Sequence, residues 1–196
     1  MLSTATYQTL FPAFDMLQSE RLIVRPYQEG DAQALFEAVD ESREHLLTWI
    51  GFANRHQTIE QSQEWINRQR ARWILREEFA TGLWERATER YLGDCRLYPC
   101  NWESRYFTLG YWLRSSATGK GYITEAVRLL VECALTTLAA NRLEIQCDEQ
   151  NTKSAAVAKR LGFVLEGRLR NHELASNGSL RTSLIFSLIP TDVCTK

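Results

Sequence analysis

The sequence predicts an α/β protein, because strand and helix patterns alternate along most of the 196-residue chain. Its most informative segment is residues 110–130, where a short apolar strand leads through a six-residue, glycine-bearing turn into a helix. Apolar residues recur along that helix at spacings of three and four, namely Ile123, Ala126, Val127, Leu130, Val131, Ala134, Leu135 and Leu138. They form one continuous stripe, as an amphipathic helix requires.

The other elements follow from the same periodicities. Strands are predicted at residues 21–27, 79–84, 91–98, 107–113, 142–147, 163–167 and 181–189. Further helices are predicted at residues 31–40, 58–76 and 152–161. Residues 85–90 are expected to turn the second strand into the third as a hairpin. Gly162 is expected to end the last helix, since glycine readily adopts the left-handed conformation of a helix C-cap.

Length and charge limit the function classes. A chain of 196 residues is expected to form one domain over residues 1–196, with residues 1–17 as an N-terminal extension. A net charge of −1 argues against a nucleic-acid surface and a polybasic membrane patch. No apolar run approaches the roughly 18–20 residues of a membrane span, and the first residues lack the features of a signal peptide. We therefore expect a cytoplasmic protein without nucleic-acid or membrane partners.

Cysteine and histidine usage indicates neither disulfides nor a metal site. The cysteines are odd in number and show no C-x-x-C spacing: Cys95, Cys100, Cys133, Cys147 and Cys194. This pattern predicts reduced thiols. His45, His56 and His172 are scattered along the chain, so no metal is expected.

The glycine-bearing turn predicts a phosphate ligand, the alternative being an ordinary strand–helix connection. Backbone N–H groups and the helix dipole converge at a helix N-terminus, and glycine lets an anion approach. A nucleotide P-loop does not fit, because Gly121 follows Lys120 where Ser or Thr is needed and Arg114 replaces the first glycine. A dinucleotide fingerprint does not fit either, because Thr124 stands where the third glycine is needed.

Residues 116–121, Ser-Ala-Thr-Gly-Lys-Gly, resemble the pyrophosphate loop Q/R-x-x-G-x-G/A of the GNAT superfamily of N-acetyltransferases, with Ser116 departing from the first position. The run from Asn151 through Ser154 to Gly162-Phe163 and Glu166-Gly167 is typical of the RimJ/RimL branch, which acetylates protein N-termini. The opening residues 19–26 and the later Ser42, Arg43, Leu46 and Trp49 also match. The resemblance covers about residues 18–190. It implies a central mixed sheet, splayed between two parallel strands and flanked by about four helices.

The resemblance also implies acetyl-CoA as the cofactor. Its pantetheine arm would lie between the strands at 107–113 and 143–147, bound by the backbone that precedes the loop, while the pyrophosphate would bind the loop amides. The residues implied for cofactor binding are Tyr111, Trp112, Leu113, Arg114, Gly119, Lys120, Gly121, Tyr122, Asn151 and Lys153. The side chain of Lys120 either adds charge at the phosphates or points to solvent.

Two residues are expected to carry the chemistry. By resemblance, Glu173 is the general base for the incoming amine, the alternative being an exposed carboxylate without a role. Ser154, where many superfamily members have a tyrosine, is expected to act as the general acid or to stabilise the departing thiolate, the alternative being a helix cap. His172 is a rival base, and in an extended segment only one of the two neighbours faces the cleft. Trp49, in a predicted loop, is expected with His172 to bind substrate.

The pKa of the acceptor amine favours a protein N-terminus. Deprotonating an α-amine of pKa about 7.7–8.0 at pH 7 costs about 1 kcal/mol, whereas a lysine amine of pKa about 10.4 costs about 4.6 kcal/mol. We therefore expect an N-terminal protein acetyltransferase of the ribosomal-protein type. A small amine such as a polyamine, aminoglycoside or amino-acid analogue is the nearest alternative, and a non-catalytic acyl-CoA-binding domain is another. A homodimer is also considered.

Overall fold

A computed structural model describes residues 8–175 and 178–193. Its strands are β1 (Leu17–Gln18), β2 (Leu22–Pro26), β3 (Phe79–Glu85), β4 (Tyr91–Asn101), β5 (Tyr106–Leu113), β6 (Arg142–Asp148), β7 (Val164–Leu174) and β8 (Leu180–Leu188). Its α-helices are α1 (Ala32–Glu41), α2 (Arg43–Trp49), α3 (Ile59–Leu75), α4 (Tyr122–Thr136), α5 (Thr152–Arg160) and α6 (Pro190–Val193). Short 3-10 turns lie at Gln8–Leu10, Glu29–Asp31, Gly51–Arg55 and Ser115–Ala117.

All eight strands form one sheet in the order β1-β2-β3-β4-β5-β6-β8-β7. Six of the neighbouring pairs are antiparallel, and only β5 and β6 run parallel. A helix crossover is needed between parallel neighbours, and α4 provides it. The predicted α/β class and mixed sheet are therefore confirmed.

The parallel pair separates at its centre. β5 and β6 are paired from Tyr106 and Arg142 as far as Leu109 and Ile145. Beyond that point β5 stays paired only to β4, up to Leu113, and β6 stays paired only to β8, up to Asp148. Because each strand follows its outer neighbour, a V-shaped gap opens between residues 110–113 and residues 146–148. This gap is the splay that the resemblance implies.

The two faces of the sheet carry separate apolar cores. The larger core packs α4 and α5 against one face, and it buries Leu109, Leu130 and Ile145. Every residue of the predicted stripe either belongs to this core or packs against it, although α4 ends at Thr136 and Leu138 lies just beyond it. The second core packs α1, α2 and α3 on the opposite face, where Trp112 alternates with the leucines of β5.

Several boundaries differ from the sequence-based expectation. The predicted loop after the first helix contains α2, so Trp49 ends a helix rather than lying in a loop. β4 continues to Asn101 and β7 to Leu174. Within the predicted N-terminal extension, residues 1–7 lie outside the described residues, whereas Phe14 is only 8% exposed and belongs to the larger core. The extension therefore contributes packing from residue 8 onward.

The described cysteines Cys95, Cys100, Cys133 and Cys147 are all unpaired thiols, and Cys194 lies outside the described residues. Across residues 8–175 and 178–193, no three His, Cys, Asp or Glu side chains cluster closely enough to hold a metal ion. Among the same residues, no helix combines the length and apolar character that a bilayer crossing demands.

Candidate active site

The loop between β5 and α4 depends on two glycines in the left-handed region. Gly119 has φ +79° and Gly121, the N-cap of α4, has φ +81°. A Cβ at Gly119 would meet nothing within 4 Å, so backbone conformation rather than crowding requires glycine there. The loop leads into the N-terminus of a 15-residue helix, whose free amides and dipole suit a pyrophosphate.

Ion pairs brace this loop from both sides. Arg21 donates from Nη1 to the carbonyl of Lys120 (3.1 Å) and from Nε to Glu125 (2.8 Å). On the other side, the Nε of Arg114 donates to Glu41 (2.9 Å), and Glu41 also accepts the amide of Ser116 (3.0 Å). The guanidinium of Arg114 is therefore engaged with α1 instead of pointing toward the loop amides.

A cleft of about 1710 Å³ runs from the loop through the V-shaped gap. Most predicted site residues line it, namely Trp49, Tyr111, Trp112, Leu113, Gly119, Gly121, Tyr122, Asn151, Lys153, Ser154 and Glu173. As the described residues define this cleft, the side chains of Arg114, Lys120 and His172 are not part of its lining. Lys120 is exposed, which matches the alternative in which its side chain points to solvent.

The side of the cleft where the acceptor is expected, called the acceptor side below, lies on the face of the sheet that carries the second core. Thr108 and Gly110 of β5 and Gln146 of β6 line it from the sheet. Trp49 lines it from the end of α2. Arg181 of β8 fixes this helix end, since its guanidinium donates to the carbonyls of residues 48 (2.6 Å) and 49 (3.3 Å). The structure thus brings Trp49 to the cleft although it is helical.

Ser154 lies at the opening of the V, in the first turn of α5. Its Oγ is 2.9 Å from the hydroxyl of Tyr111, which also lies within 3.2 Å of the Ser154 carbonyl. The helix cap is a different residue, because Asn151 Oδ1 accepts the amide of Ser154 (3.1 Å). Burial raises the pKa of Tyr111, so its phenol stays protonated at neutral pH. The capping role considered for Ser154 is therefore filled by Asn151.

Glu173 and His172 occupy different surroundings on β7. Glu173 lines the cleft, whereas His172 lines a separate surface depression with Arg170. Both nevertheless contact Gln146, whose Nε2 donates to Glu173 Oε1 (2.7 Å) and lies 3.3 Å from His172 Nδ1. Strict alternation fails here because β7 bulges between Leu169 and Glu173, with Asn171 at φ +53°. Of the two candidate bases, Glu173 lies at the cleft.

Sequence reasoning missed a buried ionic group beneath the acceptor side. Arg96 of β4 donates from Nε to Asp94 (2.7 Å) and from Nη1 to Glu78 (3.3 Å). Burial acts against the charge on Arg96, but Asp94 and Glu78 raise its pKa above the usual value. The signal available in the sequence was the placement of Asp94 and Arg96 at alternate positions of a strand whose neighbours Cys95 and Leu97 are buried.

The ring of Tyr98 packs directly on Gly110 in the acceptor side of the cleft. A Cβ added at Gly110 would lie 2.5 Å from Tyr98 Cε1, so the tyrosine ring rests directly on the glycine. Both residues line the cleft. Gly110 is required here by close approach of a ring, and a side chain at this position would displace Tyr98.

Comparisons with known proteins agree with this architecture. The family model for the acetyltransferase (GNAT) domain matches residues 21–164. YdaF of Bacillus subtilis is named as a ribosomal N-acetyltransferase. It is 29% identical over 172 residues, covering 87% of this chain and 92% of the relative. The ribosomal-protein-serine acetyltransferase of Escherichia coli is 36% identical over 82 residues, 42% of this chain and 44% of the relative.

Solved structures show the same fold. RimL, a ribosomal L7/L12 alpha-N-protein acetyltransferase in complex with coenzyme A, has a TM-score of 0.85 at 20% identity, covering 89% of this chain and 98% of that chain. The microcin C7 self-immunity acetyltransferase MccE, in complex with acetyl-CoA and AMP, has a TM-score of 0.82 at 21% identity, covering 87% and 93%.

The chain belongs to the GNAT acetyltransferase family. It is an N-acetyltransferase whose co-substrate is acetyl-CoA. The glycine loop at the N-terminus of α4 and the gap between β5 and β6 fit that molecule, because one offers amides for a pyrophosphate and the other offers unpaired strand backbone.

Proposed function

We propose that this enzyme acetylates the N-terminal α-amine of a protein, of the ribosomal-protein type. The observation that supports this most directly is the carboxylate of Glu173, oriented by Gln146 on the acceptor wall of a cleft that also contains Ser154. One carboxylate acting directly or through water suffices for an amine whose pKa is only about one unit above neutral pH. The names of YdaF and RimL point in the same direction.

In the proposed mechanism, the loop amides from Gly119 to Tyr122 bind the pyrophosphate. The backbone of residues 111–113 binds the pantetheine arm and donates a hydrogen bond to the thioester carbonyl, which stabilises the charge that develops on its oxygen. Glu173 accepts the proton that the attacking amine releases. The hydroxyl of Ser154 donates a hydrogen bond to the departing thiolate. Trp49 contacts the acceptor from the end of α2.

A small polycation is the second candidate, since the spermidine N(1)-acetyltransferase of Escherichia coli is 35% identical over 66 residues, 34% of this chain and 35% of the relative. The charges of the cleft argue against it. Among the described residues, six carboxylates line the cleft. Asp94, Glu125, Glu144 and Asp148 are each paired with an arginine, which neutralises most of their charge. Glu20 and Glu173 are then the carboxylates that could attract a polycation.

A panel of acceptors tests the proposal. The enzyme is incubated with acetyl-CoA and a peptide that has a free N-terminal serine or alanine and an internal lysine. A second incubation uses that peptide with its N-terminus already acetylated, so that the lysine is its remaining free amine. Spermidine and an aminoglycoside complete the panel. We expect mass spectrometry to show one added acetyl group on the free α-amine alone. Transfer only to a small amine would overturn the proposal, and tight acetyl-CoA binding with no transfer would favour the non-catalytic alternative.

We also propose that residues 1–196 act as one cytoplasmic acetyltransferase domain that forms a homodimer. Free cysteine thiols among the described residues are consistent with a reducing compartment. The edge strand β7 exposes Val164, Leu165, Leu169 and Leu174, a surface that a second copy could cover. Light scattering should give the mass of a dimer for the wild type and a monomer for Leu169→Lys. A monomeric wild type would contradict the dimer.

A further inference from the structure

The contact between Tyr111 and Ser154 crosses the opening of the V. Tyr111 belongs to β5, two positions after the last residue paired with β6, and Ser154 belongs to the helix that follows β6. Their hydroxyl oxygens are 2.9 Å apart. Both residues line the cleft. The proposed mechanism uses only the backbone of Tyr111, so its hydroxyl has no assigned role.

The number of protons available limits the hydrogen bonds that the hydroxyls of Tyr111 and Ser154 can make. Each hydroxyl has one proton. The backbone amide of Ser154 is already bonded to Asn151, so it does not compete for either hydroxyl. When the phenol of Tyr111 donates to Ser154 Oγ, the single proton of Ser154 is left to point elsewhere. The alternative acceptor of the phenol, the Ser154 carbonyl, is farther away at 3.2 Å.

Among the described residues, the thiol of Cys147 is another group near the serine hydroxyl. The thiol of Cys147, on β6, also lines the cleft, and burial raises its pKa, a rise that its interaction with Ser154 opposes. A protonated thiol is a weak acceptor, so Cys147 competes poorly with a thiolate for the proton of Ser154. An anionic sulfur in the cleft would be the strongest acceptor within reach of that hydroxyl.

We propose that Tyr111 is a positioning residue for the leaving group: its hydroxyl donates to Ser154 Oγ and so directs the proton of Ser154 toward the sulfur of coenzyme A. This inference rests on the proposed role of Ser154. In the reaction, the C–N bond forms, the C–S bond breaks, and its electron pair goes to sulfur. The amine proton goes to Glu173. Ser154 keeps its proton while it bonds to the thiolate, which takes a proton from solvent on release.

Steady-state kinetics on Tyr111→Phe, Ser154→Ala and the double variant test the inference. Because Phe keeps the ring that packs in the core, the site should stay intact, and isothermal calorimetry with coenzyme A verifies that. We expect Tyr111→Phe to lower kcat about 10-fold, the effect of one lost hydrogen bond, with the KM for acetyl-CoA within about 2-fold of wild type. The double variant should be no slower than Ser154→Ala alone.

Tyr91→Phe is the matched control. Tyr91 is a buried phenol on β4 that contacts the hydroxyl of Tyr27 at 2.7 Å, away from the cleft lining. This variant should lose thermal stability with kcat unchanged. If Tyr111→Phe behaves in the same way while Ser154→Ala is slow, the tyrosine is structural and the inference is wrong. If Ser154→Ala keeps the wild-type kcat, both the proposed role of Ser154 and this inference are wrong. The assignment of the acceptor is tested separately by the peptide panel.

Discussion

Glu41, at the end of α1, is bonded to Arg114, at the start of the loop between β5 and α4, across 73 positions of sequence. The same carboxylate accepts the amide of Ser116, and the adjacent Ser42 accepts the amide of Ser115 at 2.9 Å. Burial acts against the charged carboxylate, but the bonds from Arg114 and Ser116 outweigh it and lower the pKa of Glu41 to about 2. A helix on the acceptor side thus helps to hold the loop that is expected to bind the cofactor.

Replacing Glu41 with Gln should therefore weaken acetyl-CoA binding without changing the chemistry. The variant loses the charge that attracts Arg114, and a partly exposed pair of this kind contributes about 1 kcal/mol, or up to about 5-fold in affinity. We expect the KM for acetyl-CoA to rise by about that factor with kcat unchanged. Glu37→Gln is the control, because Glu37 is on the same helix and accepts a hydrogen bond from the exposed Gln33 instead of contacting the loop. Equal KM values for both variants would contradict the prediction.

Gly119→Ala tests whether the loop conformation is needed for the cofactor. A residue with a Cβ at φ +79° is strained by about 1–2 kcal/mol, and relief of that strain would move the loop amides. Gly178, at φ +82° and also with free space around it, gives a matched control in the turn between β7 and β8. Both variants should lose similar stability in thermal melts, but calorimetry should show weaker acetyl-CoA binding only for Gly119→Ala. Unchanged affinity in that variant would remove the loop from the cofactor site.

Local sequence pattern was sufficient for most of the strands and helices but not for the contacts of the site. The stripe on α4 and the two glycines are short-range signals, and they predicted the crossover helix and its loop. The helix α2 was missed because its seven residues are too few for a clear periodicity. Tyr111 and Ser154 are 43 residues apart and Gln146 and Glu173 are 27 apart. Such pairs form only when separate strands and helices pack together, so the spacing of residues along the sequence does not predict them.

Glu173→Gln should lower kcat/KM at pH 7 by about 10²-fold or more, the usual effect of removing a general base, while cofactor affinity stays intact. The deficit should shrink as pH rises, since the free amine then loses its proton unaided. His172→Gln is the natural comparison, because His172 also contacts Gln146 but lies outside the cleft lining. A full pH–rate profile distinguishes the two residues. Wild-type kinetics for Glu173→Gln together with a slow His172→Gln would reverse the assignment.

His56 should make the fold sensitive to mild acid. Its side chain is fully buried. Its Nδ1 lies 3.0 Å from Ser62 Oγ, and the centroid of its ring lies 4.3 Å from the ring centroid of Phe52. Within the described residues its Nε2 has no hydrogen-bond partner. Burial, assisted by the charges of nearby arginines, lowers the pKa of His56 to about 4. The folded protein therefore holds this imidazole neutral at pH values where an unfolded histidine binds a proton.

The sign of the effect follows from that difference. Above the unfolded pKa of about 6.5, His56 is neutral in both the folded and the unfolded protein, so no stability is lost. As pH falls from about 6.5 to about 4, the imidazole of the unfolded protein gains a proton that the folded protein excludes. At 1.36 kcal/mol for each pH unit over that window, the free energy of unfolding should fall by about 3 kcal/mol. Urea unfolding of wild type at pH 7, 6, 5 and 4.5 measures this slope. His56→Gln, which cannot be protonated, should flatten it, whereas His45→Gln, at an exposed position, should not. Parallel slopes for wild type and His56→Gln would show that other groups control the acid sensitivity.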